Sequence, residues 1–393
     1  MSATPYNYRI YGTETVLEAA RRRIAWLFDE FENVLVPVSG GKDSTVVLNL
    51  ALEVAQAKGR LPLDVMFLDQ EVEFDSTIDM IREIADDTRV RMHWLQVPFR
   101  LSNQANSDNP WLNCWGPGER WMRAKEPDAI HENTYGTDRF YPLFDAFTKA
   151  LWPDEPCVRL AGIRCEESPA RYKGMTGQVT YKGETWGSVA DKKRGHYVMC
   201  PIYDWSYTDV WKAIHAHGWA YNRLYDHQYR YGIELRKMRC SSVTHETSMS
   251  CLFYLQEVEP DTWNRMTARL QGVNSVGQLQ EAFTTPPGQV PWMFNSWKEY
   301  RDHLVANLAG EADRPYFEKT FARYDALYDE ACAADPAMEK DVMRRMIKCV
   351  LTGDVFGQRL GQLRSLYGAR SKNAGARGGQ AAKTAKSNQL VSG

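Results

Sequence analysis

The sequence predicts a doubly wound α/β domain built on a parallel sheet, followed by a helical C-terminal module. Three observations carry that expectation. Short apolar runs alternate with amphipathic stretches of about ten or more residues, the pattern of strands buried on both faces between crossover helices. A glycine-bearing hexapeptide, Ser39-Gly40-Gly41-Lys42-Asp43-Ser44, sits at one strand-to-helix junction. Beyond Asp204 the pattern is mostly helical, with Trp205, Val210, Trp211 and Ile214 on one apolar face, and from about Asp261 to Leu366 it reads as a separate helical module.

In chain order, Thr13 reads as the cap of a first helix with Val16, Ala20, Ile24, Leu27, Phe28 and Phe31 on one face. Asn33 to Val38 reads as a short buried strand, broken by the glycine pair, and Ser44 opens a helix with Val47, Leu50, Ala51 and Val54 on one face. Asp64 to Leu68, a helix from about Ser76 to Asp86 and Val90 to Val97 repeat the unit. From Pro98 to about Asn133 periodicity fails in a stretch crowded with Asn, Pro, Gly and Trp. Its tryptophans, with Arg120 and Arg123, either cover a ligand or pin the loop to the core. A helix from Thr137 to Leu151 then leads to a strand from Cys157 to Ile163. The basic, glycine-containing stretch with Lys173, Lys182, Lys192, Lys193 and Arg194 reads as irregular, a lid or simply charged surface. Phe317, Phe321, Tyr324 and Tyr328, and later Val342, Met346, Ile347 and Val350, give the last module its helical spacing. The expected division is 1–255, 256–366 and a basic tail, 367–393.

The composition, 44% hydrophobic and 25% charged over 393 residues, is that of a soluble globular chain. No apolar run approaches the roughly 20 residues that span a bilayer, and the first residues lack the pattern of an export signal, so a cytoplasmic protein without membrane partners is expected. Eight cysteines spread singly argue against a disulfide framework and against an iron–sulfur cluster. The net charge of −2 hides an asymmetry: from Val355 onward there are seven Lys or Arg and no Asp or Glu. That tail is either solvated or a contact for nucleic acid or a protein partner.

A loop that follows a buried strand and opens a helix aims several amides and the positive helix end at one point, which suits phosphate. Gly40 and Gly41 let the backbone approach closely, Lys42 adds charge, and Ser39 and Ser44 offer hydroxyls. Asp43 is expected to order the turn or to hold magnesium. The glycines abut the lysine here, unlike those of the Walker loop.

SGGKDS, with later segments, resembles the phosphoadenosine phosphosulfate (PAPS) reductase branch of the PP-loop adenine nucleotide α-hydrolase superfamily, over about Ala25 to Leu255. The resemblance implies a Rossmann-like domain that binds ATP or PAPS. ATP-using members of the superfamily cleave between the α and β phosphates; the reductases remove the sulfonate. At the second strand end, Asp69 and Glu71 are then expected at ribose or magnesium, the alternative being solvated loop acids. Gly162-Ile163-Arg164-Cys165-Glu166-Glu167-Ser168-Pro169-Ala170-Arg171 resembles the family's strand-end motif, with Arg164 and Arg171 as anion ligands and Glu167 and Ser168 orienting Arg171, the alternative being structural salt bridges. Pro201-Ile202-Tyr203-Asp204-Trp205, Asp209-Val210-Trp211 and Asn222 with Tyr225 match further family segments, read as packing residues.

One departure matters. Assimilatory PAPS reductases carry a Glu-Cys-Gly-Leu-His segment whose cysteine attacks the sulfonate; here no cysteine follows Cys349. Cys240, in a basic segment with Arg236, Lys237, Arg239 and His245, is the best local nucleophile candidate or else an inert small residue. Tyr231-Gly232-Ile233 through Met238-Arg239 is closer to the predicted PAPS sulfurtransferases. The sequence thus points to an enzyme that binds ATP or PAPS, with magnesium accompanying ATP, and cleaves or transfers at the phosphate or sulfonate, with Lys42, Asp43, Arg164 and Arg171 as catalytic candidates. Two alternatives stand beside it: an ATP pyrophosphatase that activates another molecule, including nucleic acid in a sulfur modification pathway, and a nucleotide-sensing subunit docked through the helical module.

Overall fold

The computed structural model describes residues 12–102, 111–240, 252–270, 285–355, 357 and 360. The expectations placed on the tail beyond residue 360 and on His245 lie outside them. Two compact units divide the chain near residue 273.

In the first unit, α1 (Val16–Glu30) precedes β1 (Asn33–Pro37), the loop, α2 (Lys42–Ala57), β2 (Leu63–Leu68), α3 (Asp75–Ala85) and β3 (Val90–Leu95). A small hairpin, β4 (Phe99–Ser102) with β5 (Trp111–Cys114), lies within the stretch read as irregular. α4 (Phe140–Leu151), β6 (Cys157–Leu160), α5 (Pro169–Thr176), β7 (Gly187–Asp191), β8 (His196–Met199), α6 (Tyr207–His217), α7 (Leu224–Tyr231), α8 (Leu252–Val258) and α9 (Pro260–Arg269) complete it. The sheet order is β3-β2-β1-β6-β8-β7, parallel except for β7. Strands run outward in both directions from the β1–β6 pair, so the crevice beyond the carboxyl ends of β1 and β6 is the topological switch point where such sheets bind ligands.

Both sheet faces are buried, as the continuous apolar strands require. Val34, Val36, Val65, Phe67, Val158 and Leu160 join the core formed with Ile24 and Leu27 of α1, Leu50 and Val54 of α2, and Val210 and Ile214 of α6, while Leu35 and Met66 are buried opposite. Each such leucine or isoleucine contributes about 1.5–3 kcal/mol by leaving water.

Two local expectations are corrected. The cap of α1 is Thr15, not Thr13, because Thr15 has the partner three residues on: its hydroxyl accepts from the Glu18 amide and Glu18 accepts from the Thr15 amide. The basic stretch after Lys182 is an ordered hairpin, β7–β8, on the sheet edge; its sequence is too rich in Gly and charge to show strand periodicity. α8 and α9 belong to the first compact unit.

The second unit holds α10 (Trp297–Leu308), α11 (Arg314–Ala334) and α12 (Pro336–Leu351). Phe317, Phe321, Tyr328, Val342, Met346, Ile347 and Val350 form its core, and Arg301 is buried there beside Asp325. No helix among the described residues is long and apolar enough to cross a membrane.

Candidate nucleotide site

β1 delivers the chain to the loop and α2 takes it away. Gly40 has φ +67°, the left-handed region that favours glycine, and a Cβ there would stand 2.8 Å from Thr77 Cγ2. Gly41 is the N-cap of α2 and offers no side chain to the first-turn amides. Of those amides, that of Lys42 donates to Tyr225 Oη and that of Thr45 to Gly41 O (3.0 Å), while the positive end of the helix lies at the switch point. The loop is internally braced: Ser39 Oγ and Ser44 Oγ are 3.2 Å apart, Ser44 Oγ donates to Gly41 O (3.0 Å), and the Ser39 amide donates to Ser44 Oγ (3.2 Å). Both serines shape the turn.

Two cations converge on Asp43. Lys42 Nζ lies 2.9 Å from its Oδ2, and Arg164 Nε, from the loop after β6, lies 2.6 Å from its Oδ1. Arg164 also pairs with Glu166 at 3.0 Å. Gly162 makes this approach possible, since a Cβ there would lie 2.7 Å from Asp43 C and 2.8 Å from Ser44 N. Further along, Arg171 pairs with Glu167, and Ser168 Oγ caps α5 by accepting from the Arg171 amide at 3.2 Å. Lys42, Asp43, Arg164, Glu167 and Arg171 thus form one chain of alternating charge leading away from the loop.

Asp43, expected to order the turn or to hold magnesium, has its two oxygens engaged by Lys42 and Arg164. No group of three metal-ligating side chains occurs among the described residues, whereas magnesium beside a nucleotide commonly takes one or two carboxylates together with phosphate oxygens.

Asp69 and Glu71 are placed differently from the sequence expectation. Both are 0% exposed, so neither is a solvated loop acid. Asp69 accepts from Trp94 Nε1 (2.8 Å), Gln96 Nε2 (3.0 Å), the Glu71 amide (2.9 Å) and Arg123. Glu71 accepts from the amides of Trp115 (2.8 Å) and Met122 (3.3 Å) and from Arg269 Nε (2.7 Å). Buried carboxylates persist only when so paired. Of the loop's tryptophans, Trp115 is fully buried and donates through Nε1 to Asp69 O (2.9 Å), pinning the loop there, while Trp111 is exposed.

Sequence reasoning gave Asn222 and Tyr225 only packing roles, yet both touch the loop. Asn222 Nδ2 donates to Gly40 O (3.1 Å) and Thr77 Oγ1 (2.9 Å), and the Lys42 amide donates to Tyr225 Oη (3.1 Å). Cys240 is here as well, with Sγ 3.0 Å from where a Gly41 Cβ would stand and 3.5 Å from Tyr225 Oη. It is 6% exposed, and burial pushes its thiol up to about 11. Nearby Glu73 is raised to about 8, first by burial and then by the charge of Asp69. Local sequence carries no mark of this burial; the clue available for Asn222 and Tyr225 was their family-like spacing.

Residues 33–231 match the model of the phosphoadenosine phosphosulfate reductase domain, and residues 232–354 match a domain of unknown function, DUF3440. The Escherichia coli protein YbdN is 32% identical over 93% of this chain and 94% of its own length. The adenosine 5'-phosphosulfate reductase of Anoxybacillus flavithermus is 27% identical over 52% of this chain and 73% of its own. Among solved structures, the PAPS reductase of Candida auris aligns at 15% identity and a TM-score of 0.31, covering 56% of this chain and 93% of that one. With a PP-loop at the switch point of a mostly parallel sheet and a family match across half its length, the chain belongs to the phosphoadenosine phosphosulfate reductase domain family.

Proposed function

We propose that the chain is an enzyme that seats the phosphates of an adenine nucleotide on Ser39 to Ser44 and cleaves the α–β bond of ATP, water or an acceptor's nucleophile adding at the α phosphorus as pyrophosphate leaves. The observation that carries this choice over sulfonate removal is the state of the thiols. Among the described residues, burial raises Cys114, Cys157, Cys165, Cys200, Cys240 and Cys332, and the one against the loop, Cys240, stands at about 11. A thiol at that value is overwhelmingly protonated at neutral pH and is a poor nucleophile for sulfur.

In this reading the phosphates take the α2 amides and compete with Asp43 for Lys42 and Arg164, moving positive charge onto the oxygens that gain negative charge as the bond breaks. Arg171, on the exposed end of the charge chain, reaches the distal part of the nucleotide or the acceptor. We further propose the helical second unit as the docking surface for a protein partner. PAPS cleavage by an external thiol is the competing reading, supported by the family match.

The test is product analysis with purified protein. Magnesium and ATP in one reaction, and PAPS with a thiol donor in another, are assayed for pyrophosphate, AMP, adenosine bisphosphate and sulfite, with Lys42→Ala as control. Pyrophosphate and AMP that vanish in the variant are expected. Sulfite and adenosine bisphosphate would overturn the choice of ATP, and no product from either would remove the stand-alone enzyme.

A further inference from the structure

The N-terminus of α3 presents an unusual debt. Its N-cap, Phe74, supplies no side-chain acceptor, so the first-turn amides need one from elsewhere. Glu259, between α8 and α9, provides it. The Asp75 amide donates to Glu259 Oε2 (2.9 Å), the Ser76 amide to Oε1 (3.1 Å), and the Ser76 hydroxyl to Oε1; Thr262 Oγ1 steadies the carboxylate at 2.7 Å. A buried anion at a helix's positive end is a favourable placement, and here it reaches across more than 180 residues of sequence.

The other end of the same connection is held by the same helix pair. Glu71 has φ +64°, a left-handed conformation that strains a non-glycine residue and persists only where surroundings over-determine it. Arg269, the last residue of α9, donates from Nε to Glu71 Oε1 (2.7 Å) and from Nη2 to Asn113 O (3.0 Å), and pairs with Glu119 at 3.1 Å. Glu259 and Arg269 therefore grip residues 71–76 from both sides.

What these residues hold bears on the phosphate loop. Thr77, next in α3, packs its methyl group where any Gly40 side chain would stand, and Asn222 bridges Thr77 Oγ1 and Gly40 O. A shift of the α3 N-terminus is transmitted to the Gly40 peptide through two direct contacts. We infer that Glu259 and Arg269 are positioning residues of the nucleotide site, so that the first part of the segment matched to the domain of unknown function completes the PP-loop wall. The inference rests on the reading of Ser39 to Ser44 as that site. Neither side chain touches the ligand; each acts through α3 and the β2–α3 connection.

The test is hydrogen exchange on the full chain without ligand, comparing Glu259→Ala and Arg269→Ala with Val54→Ala, a core truncation at the far end of α2. At least ~10-fold faster exchange is expected in two peptides, 69–77 and 38–45, for the first two variants and in neither for the third. Loosening confined to 69–77 overturns the inference, as does equal loosening in Val54→Ala at matched stability. Glu259→Gln, which keeps an acceptor but drops the charge, shows the same pattern at smaller size should the alanine variant not fold. In parallel, ATP and PAPS binding is measured for all variants. An increase in Kd of ~10-fold for Arg269→Ala, partly recovered in Arg269→Lys, is the expected companion result. If the wild type binds neither nucleotide while exchange changes as expected, the clamp stands and the reading of the site falls. If binding is strong and unchanged in every variant, the site stands and the clamp falls.

Discussion

The carboxyl ends of β1 and β2 are neighbours in one sheet, and each is followed by a turn bearing acids, yet the two have opposite characters. After β1, Asp43 is partly open and is held by Lys42 and Arg164, buried cations that we propose a phosphate recruits. After β2, Asp69 and Glu71 are sealed beneath Trp115 and satisfied by indole, amide and guanidinium donors. The difference teaches that position at a strand end does not make an acid a ligand. Exchangeable partners make a site; a closed set of donors makes a support.

Breaking the support gives the largest effect. Asp69→Ala leaves Arg123, Trp94 and Gln96 without their shared acceptor and is expected to cost about 3–5 kcal/mol, read as a lowered urea midpoint. The matching change in the loop behaves differently. Lys42→Ala is expected to weaken nucleotide binding by roughly 10–100-fold, with stability lowered by only about 1 kcal/mol, because phosphate loses a charge-assisted partner while Asp43 keeps Arg164.

The third prediction concerns pH. Glu73 holds its proton to about pH 8 when folded, whereas unfolded it ionises near 4.5. The folded state then binds more protons across that window, so stability falls as pH rises from 4.5 to about 8, by up to ~1.4 kcal/mol per pH unit, and is level above it. Denaturation of Glu73→Gln at several pH values should show that slope removed; an unchanged slope would place its origin elsewhere. The smallest effect is Arg171→Ala. Its side chain is 48% exposed, so stability should move by no more than ~0.5 kcal/mol, while nucleotide affinity drops a few-fold in titration.

The sequence made the loop half of this contrast legible and left the other obscure. Asn33 to Ala57 announces itself, since an apolar run, a glycine pair and a helical stripe are local signals. So are the helical faces of α1 and α6 and the aromatic spacing of α11. The sealing of Asp69 and Glu71 is not local: Trp94, Arg123 and Arg269 arrive from 25, 54 and 198 residues away. The same distance hid Glu259 from any reading of α3. The β7–β8 hairpin escaped because its partners are a sheet edge, not its own periodicity, and Cys240 looked available because a basic neighbourhood in sequence says nothing of burial.

The central claim is that Ser39 to Ser44 receives nucleotide phosphate through Lys42. Calorimetric titration of ATP and PAPS into the wild-type chain and into Lys42→Ala, with thermal unfolding of both alongside, tests it most directly. The account predicts that at least one nucleotide binds the wild type and binds the variant at least ~10-fold more weakly at an essentially unchanged Tm. Equal affinity in the two proteins, or no binding to the wild type, would contradict it.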